Sequence, residues 1–139
     1  MGKLPITYIQ GNNYLLLIYV YDANTILEEP LKSRSSSHIL EAYTEQVKHV
    51  TNRGYRPRVH WLDNEASVSL KKYDPQEDIG YQLVPPQIHC VNPAERAIRA
   101  WKDYLIAGLK SIDTQCPMHR WCRLIQQETM NLNMLRPFR

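Results

Sequence analysis

The chain has 139 residues, a mass of 16.3 kDa and a formal net charge of +3, and this length predicts a single domain over residues 1–139. Hydrophobic residues make up 43% and charged residues 22% of the chain, which excludes a disordered or collagen-like protein. The longest apolar run, residues 14–21, is too short for a transmembrane helix, so we expect no membrane partner. The chain does not open with a basic n-region followed by an apolar h-region, so we expect no signal peptide. Three cysteines form no even disulfide framework and indicate a reducing, intracellular compartment.

Positive charge is concentrated in the last third of the sequence. Residues 1–94 hold nine basic and ten acidic side chains, whereas residues 95–139 hold eight basic and four acidic ones. A basic segment of this kind can neutralise the phosphates of a nucleic acid and release their counterions. A solvated basic helix face explains the same pattern, so both interpretations stay open on charge alone.

The first part of the chain has the pattern of an antiparallel meander. Two β-rich runs, residues 4–9 and 14–21, flank a Gly-Asn-Asn turn and predict a hairpin. A second turn leads to a third strand over residues 25–29, and we expect Pro30 to stop its pairing because proline cannot donate to a strand ladder.

Helices and strands alternate in the rest of the chain. Serines at 35–37 can cap a helix that runs to about Arg53, and Gly54 is placed to end it. The remaining elements are predicted as strands over residues 58–62 and 81–84, a helical turn over 67–73, and helices over 93–112 and 118–135. The resulting order, βββ-α-β-α-β-α-α, indicates an α/β fold with a mixed sheet.

Two acidic residues stand where such a sheet places its functional groups. Asp63 follows the strand over residues 58–62, and Glu95 lies in the first turn of the helix that starts near Pro93. Acidic residues at the C-terminal ends of strands converge on one edge of the sheet, where two carboxylates can share a hard cation such as Mg²⁺. Each also has a structural explanation, since Asp63 can cap the following turn and Glu95 suits the positive end of a helix dipole.

The helix that begins near Pro93 also carries cations at helical spacing. Arg99 and Lys102 follow Glu95 at i+4 and i+7, so all three lie along one helix face. Carboxylates that hold divalent metals can activate a water or hydroxyl and stabilise the leaving oxygen of a phosphodiester. A metal-binding carboxylate flanked by cations therefore favours a polyanionic substrate.

Several segments together carry a resemblance to a known family. Residues 11–17 resemble the opening hairpin of retroviral and copia-type retrotransposon integrase catalytic cores, and Leu62-Asp63-Asn64 is similar to the segment with their second catalytic Asp. Residues 81–86 and 92–98 resemble the flexible loop and the helix that carries the catalytic Glu. Residues 118–122 and 131–136 resemble the helix that follows. The resemblance extends over nearly the whole chain. It implies a ribonuclease-H-like mixed sheet with helices on both faces.

The same resemblance implies a function in DNA integration by a transposable element. Integrase cores are metal-dependent polynucleotidyl transferases that process the 3′ ends of element DNA and join them to target DNA. Asp63 and Glu95 would be the catalytic residues that bind Mg²⁺ or Mn²⁺, and Asn92, Arg99 and Lys102 would contact DNA. The partners implied are element ends and target DNA, with a possible homodimer, and the implied location is the nucleus or the cytoplasm.

Two departures from the family pattern affect these expectations. Glu65 stands where many members have Gly, and the first catalytic Asp of the family would fall upstream of Met1. Asp22 follows the second strand and has the pattern of a turn residue rather than a substitute. We therefore expect a truncated first strand, an incomplete triad, weak metal binding and an inactive chain. The alternatives are a non-catalytic nucleic-acid-binding or protein-interaction remnant of this fold, and an unrelated α/β interaction module.

Overall fold

A computed structural model describes residues 2–3, 10–62, 68–76, 78–83, 93–115, 117 and 121–137. Its elements are, in chain order, β1 (Gly2–Lys3), β2 (Tyr14–Val20), β3 (Thr25–Leu31), α1 (Ser36–Asn52), β4 (Val59–Leu62), α2 (Val68–Gln76), β5 (Gly80–Leu83), α3 (Pro93–Ser111) and α4 (Trp121–Leu135). The described residues thus form four helices and two small sheets, which confirms a mixed α/β fold. The single ribonuclease-H-like sheet and the one-domain organisation stay predictions.

The described elements form two compact units. The first contains β1, β2, β3, α3 and α4, and the second contains α1, β4, α2 and β5. In the first unit the strands are antiparallel in the order β1-β2-β3, and the register of β2 and β3 runs from Tyr14 opposite Leu31 to Val20 opposite Thr25. Asp22 is exposed in the turn between these strands, as its pattern predicts. The strand predicted over residues 4–9 lies outside the described residues.

Strand β3 continues through Pro30, so the prediction that this proline stops the pairing is wrong. The backbone of Ile26 points away from β2: its N–H donates to Asn133 Oδ1 (3.0 Å), and Asn133 Nδ2 donates to its carbonyl (2.8 Å). Pro30 lies four residues further along β3, so its nitrogen points to the same outer side. No ladder hydrogen bond is lost there, which is why the strand tolerates a proline at its edge.

The core of the first unit forms between the sheet and the inner face of α3. Its buried members are Leu15, Ile26, Ala97, Trp101, Leu105 and Ile125. Those on α3 recur every four residues, as expected for a helix with one apolar face. Trp101 Nε1 donates to the buried Thr129 Oγ1 on α4 (2.8 Å), so the indole satisfies its one polar group within the core.

Glu28 on β3 also interacts with Thr129. The Thr129 hydroxyl donates to the half-buried Glu28 carboxylate, and burial raises the pKa of Glu28 from its usual 4.5 to about 7 despite this hydrogen bond. Thr129 thus accepts from Trp101 and donates to Glu28. This chain of hydrogen bonds joins α3, α4 and the sheet.

The second unit is a β-α-β arrangement against α1. Ser35 caps α1 by accepting from the His38 N–H (3.4 Å), and Gly54, with φ of 90°, ends it in the left-handed conformation that glycine adopts without strain. Strands β4 and β5 are parallel, with Val59 opposite Gly80 and Leu62 opposite Leu83. Helix α2 connects them, as parallel strands require.

Replacement of Asn133 tests the bond between α4 and the outer edge of β3. Ile26 is fully buried, so Asn133→Ala leaves its N–H and carbonyl without partners, and we expect the free energy of unfolding to fall by about 1–3 kcal/mol in urea titrations. Asn131→Ala is the matched control because Asn131 bonds only the exposed Gln127 within the described residues. Its expected cost is below about 0.5 kcal/mol. Equal losses of unfolding free energy in the two variants would contradict the role of Asn133 at the edge of β3.

The raised pKa of Glu28 predicts a specific pH dependence. The folded state holds the Glu28 proton up to about pH 7, whereas the unfolded chain loses it near pH 4.5. The contribution of Glu28 to the free energy of unfolding is therefore fully present below pH 4.5 and is lost as the pH rises from 4.5 through 7. Glu28→Gln stays neutral, so its stability relative to the native protein should increase between pH 5 and pH 8 in urea titrations. Glu41→Gln, at an exposed position, is the control. A difference that does not change with pH would refute the shift.

Candidate functional site

Helix α3 presents the residues predicted to bind metal and DNA. Glu95 is half-buried in its first turn, where a carboxylate interacts favourably with the helix dipole. Arg99 and Lys102 are exposed. They point to solvent because the opposite face of the helix carries the core residues. The structure therefore places all three predicted residues on one helix, with the two cations accessible to a ligand.

The exposed side of α3 carries one more cation near its start. Arg96 is exposed and lies three residues before Arg99, which is three residues before Lys102. At 1.5 Å per residue the three basic positions span about 9 Å of the helix axis. Asp103 is the exposed acidic residue beside them. The arrangement is an accessible row of positive charge that begins next to a carboxylate.

The remaining predicted residues lie outside the described part of the chain. Strand β4 ends at Leu62, directly before Asp63, and α3 begins at Pro93, directly after Asn92. Among the described residues, no group of three or more His, Cys, Asp or Glu side chains is arranged to hold a metal ion. The predicted metal pair, Asp63 and Glu95, stays a prediction.

The second unit contains a buried polar network that the sequence analysis did not single out. Asp74 on α2 is fully buried, and its two carboxylate oxygens have different partners. The Tyr43 hydroxyl donates to Oδ1 (2.9 Å), and His60 Nδ1 on β4 lies 3.1 Å from Oδ2. The rings of Tyr43 and His60 stack nearly parallel, with centroids 4.7 Å apart. The network therefore joins α1, β4 and α2 at one point.

Burial controls the protonation of this network. It lowers the pKa of His60, although the neighbouring Asp74 carboxylate acts in the opposite direction. Burial and the same carboxylate raise the pKa of Tyr43, so its phenol stays protonated and remains a donor. An ionised carboxylate only accepts hydrogen bonds, so we assign the proton of the neutral imidazole to the His60 nitrogen that faces Asp74.

A weak signal for this network is present in the sequence. His60 lies two residues before the buried Leu62 on β4, and therefore on the same face of the strand. Asp74 follows the buried Leu70 by one helical turn. Both polar residues therefore occupy positions whose periodicity points inward. The pattern alone does not show that the two side chains meet, because α2 and β4 must first pack together.

None of the helices in the described part of the chain is long and apolar enough to cross a membrane.

A scan against known protein families gives no match, and a search of curated proteins gives none either. Among solved structures, the chain is similar to a chain in the cryo-EM structure of the simian T-cell lymphotropic virus intasome in complex with PP2A regulatory subunit B56 gamma, with a TM-score of 0.66 and 17% identity. The match covers 94% of this chain and 46% of that chain, so this chain spans less than half of its structural relative. At this identity the likeness concerns the fold alone.

Proposed function

We propose that this chain is an integrase-related domain that acts in DNA integration and contacts DNA through the exposed face of α3. The observation that carries the proposal is the accessible pair Arg99 and Lys102 on the helix that has Glu95 in its first turn, in a fold similar to that of a chain in a retroviral intasome. Lys and Arg side chains of this kind neutralise phosphates and release bound counterions. Asn92, directly before α3, is proposed as a further contact to the DNA.

Asp63 and Glu95 are the proposed ligands of Mg²⁺ or Mn²⁺. Their carboxylate oxygens are the hard donors that these ions prefer, and half-burial leaves part of Glu95 accessible. When bound, the ion would supply charge stabilisation at a phosphodiester and a lowered pKa for a bound water. Mg²⁺ is commonly held by one or two carboxylates together with substrate phosphates, so we expect weak binding to the protein alone and tighter binding with DNA present.

A second candidate function is nucleic-acid binding without catalysis. The exposed cations of α3 support this function by themselves, because phosphate contacts do not require a metal ion. A protein-interaction role and a homodimer stay predictions. Separate measurements of DNA binding and of metal binding distinguish the first candidate from the second.

Removal of the α3 cations tests the DNA contact. Arg99→Ala combined with Lys102→Ala is expected to weaken binding to a short DNA duplex and to reduce the slope of log K against log salt by about 2, since each lost phosphate contact contributes about 0.9. Fluorescence anisotropy between about 50 and 200 mM salt measures both quantities. Lys110→Ala, at an exposed position in the last turn of the same helix, is the control and should leave the slope nearly unchanged. An unchanged slope in the double variant would reject the contact.

Linkage between metal and DNA tests the carboxylates. In the native protein we expect DNA to tighten Mn²⁺ binding, measured by calorimetry, because metal and phosphate share a site. Asp63→Asn and Glu95→Gln should each abolish this tightening, whereas Asp103→Asn, at an exposed position on α3, should keep it. Any strand-transfer activity should follow the same pattern. Tightening that survives both substitutions would exclude these residues as ligands, and its absence in a native protein that binds DNA would favour the second candidate.

A further inference from the structure

The segment between α1 and β4, residues 53–58, is here named the arginine loop. Arg53, Arg56 and Arg58 are all exposed in it. Residues 46–62 contain four Lys or Arg and no Asp or Glu, so the net positive charge of this stretch exceeds the +3 of the whole chain. Within the described residues, no salt bridge joins any of the three arginines to a carboxylate.

Both ends of the arginine loop are fixed by backbone hydrogen bonds. At its start the Tyr55 N–H donates to the Val50 carbonyl (3.3 Å), across the left-handed Gly54 that ends α1. At its end the Gly80 N–H on β5 donates to the Arg58 carbonyl (2.9 Å). The three cations therefore project from a short, anchored segment, so little backbone order has to be created when an anion binds.

Strand β4, which follows the loop, exposes a large aromatic side chain. Trp61 is 53% exposed and Val59 is 57% exposed, while His60 and Leu62 face inward. This alternation is fixed by the bond between His60 and Asp74 inside the second unit. The residues opposite the exposed pair on β5 are Gly80 and Gln82, and Gly80 has no side chain to cover Val59. The result is an exposed face of β4 and β5 that carries the Trp61 indole.

We propose that the arginine loop and Trp61 form a binding surface for an unpaired DNA strand. Proteins that bind single strands combine cations that follow the backbone with aromatic rings on which bases stack. Trp61 is the third residue of β4, which begins directly after the arginine loop, so it lies about 10 Å along the chain from the end of the loop. A base on the indole and a phosphate at the loop can therefore belong to one short segment of DNA. A base inside a duplex is already stacked on both sides, which favours the unpaired strand.

This surface belongs to the second unit and uses none of the α3 residues. It goes beyond the proposed function, on which it rests only for the choice of DNA over RNA. A protein with an acidic surface is the competing occupant. The exposed indole argues for the nucleic acid, because every base offers a face to stack on it and the adjacent cations suit the phosphates.

The test measures binding of fluorescein-labelled oligothymidylate by anisotropy at several salt concentrations. Trp61→Ala is expected to weaken binding about 5- to 100-fold with an unchanged salt slope, because stacking releases no counterions. Arg56→Ala combined with Arg58→Ala should lower the slope by about 1.4, the value for two phosphates of a single strand. Trp61→Phe, which keeps an aromatic face, should restore most of the affinity lost in Trp61→Ala.

Matched controls separate this surface from general charge and exposure. Tyr21→Ala removes an aromatic ring that is 54% exposed, and Lys32→Ala with Lys72→Ala removes two exposed cations elsewhere. Both controls should keep affinity and slope close to native values. Circular dichroism and thermal unfolding check that each variant folds, which exposed positions favour.

Each contrary result overturns a defined part of the inference. Native affinity in Trp61→Ala removes the stacking platform, and a native slope in the arginine double variant removes the phosphate contacts. Tighter binding of oligouridylate than of oligothymidylate would assign the surface to RNA, and binding of polyglutamate without either oligonucleotide would assign it to a protein partner. Duplex binding that still depends on Arg99 and Lys102 in these cases would leave the proposed function standing while this inference fails.

Discussion

The arrangement of the second unit depends on the buried carboxylate of Asp74. A carboxylate without water is stable only when its oxygens find donors, and here α1 supplies one through Tyr43 and β4 supplies the other through His60. A shift of β4 by one residue would move His60 away from Asp74 and turn Trp61 inward. The network therefore fixes the register of the strand. The network thereby places the Trp61 indole on the exposed face of β4, and it fixes the strand that ends directly before Asp63.

The first unit uses polar side chains of α4, and of Arg136 directly after it, in a similar way. Thr129, Asn133 and Arg136 recur at nearly helical spacing, and each bonds a different part of the molecule. Thr129 joins Trp101 to Glu28 of the sheet, and Asn133 completes the outer edge of β3. Arg136 donates to the carbonyl (2.8 Å) and to the side-chain oxygen (2.7 Å) of Asn24 in the turn between β2 and β3. Directional bonds thus specify where α4 lies on the sheet, while the apolar core supplies most of the stabilisation. The position of α3, with its cations outward, follows from this packing.

Local signals in the sequence predicted local structure well. The apolar spacing on α3, and the Ser35 and Gly54 caps of α1, gave helices close to those observed, because each signal acts within a few residues. The pattern around Pro30 does not show which way its nitrogen points, because that direction depends on the register of β3 with β2. The net charge of the first 94 residues is nearly neutral, so it does not reveal the arginine loop. Of the candidate site, the sequence predicted where Glu95, Arg99 and Lys102 lie, but the inward face of β4 depends on two helices that pack against it.

The charges of the chain are separated into segments of opposite sign. Outside residues 46–62 and 95–139 the chain holds five basic and ten acidic side chains, so the two basic segments lie in an otherwise acidic protein, one segment in each unit. A polyanion is attracted to these segments and repelled elsewhere, which restricts how it can approach. The two surfaces also differ in physical character. In the two proposals, DNA along α3 is held by ion pairs with phosphate that weaken steeply with salt, whereas a base on Trp61 is held by stacking contacts that salt hardly screens. At higher ionic strength the surface formed by the arginine loop and Trp61 should therefore supply a growing share of the affinity for DNA.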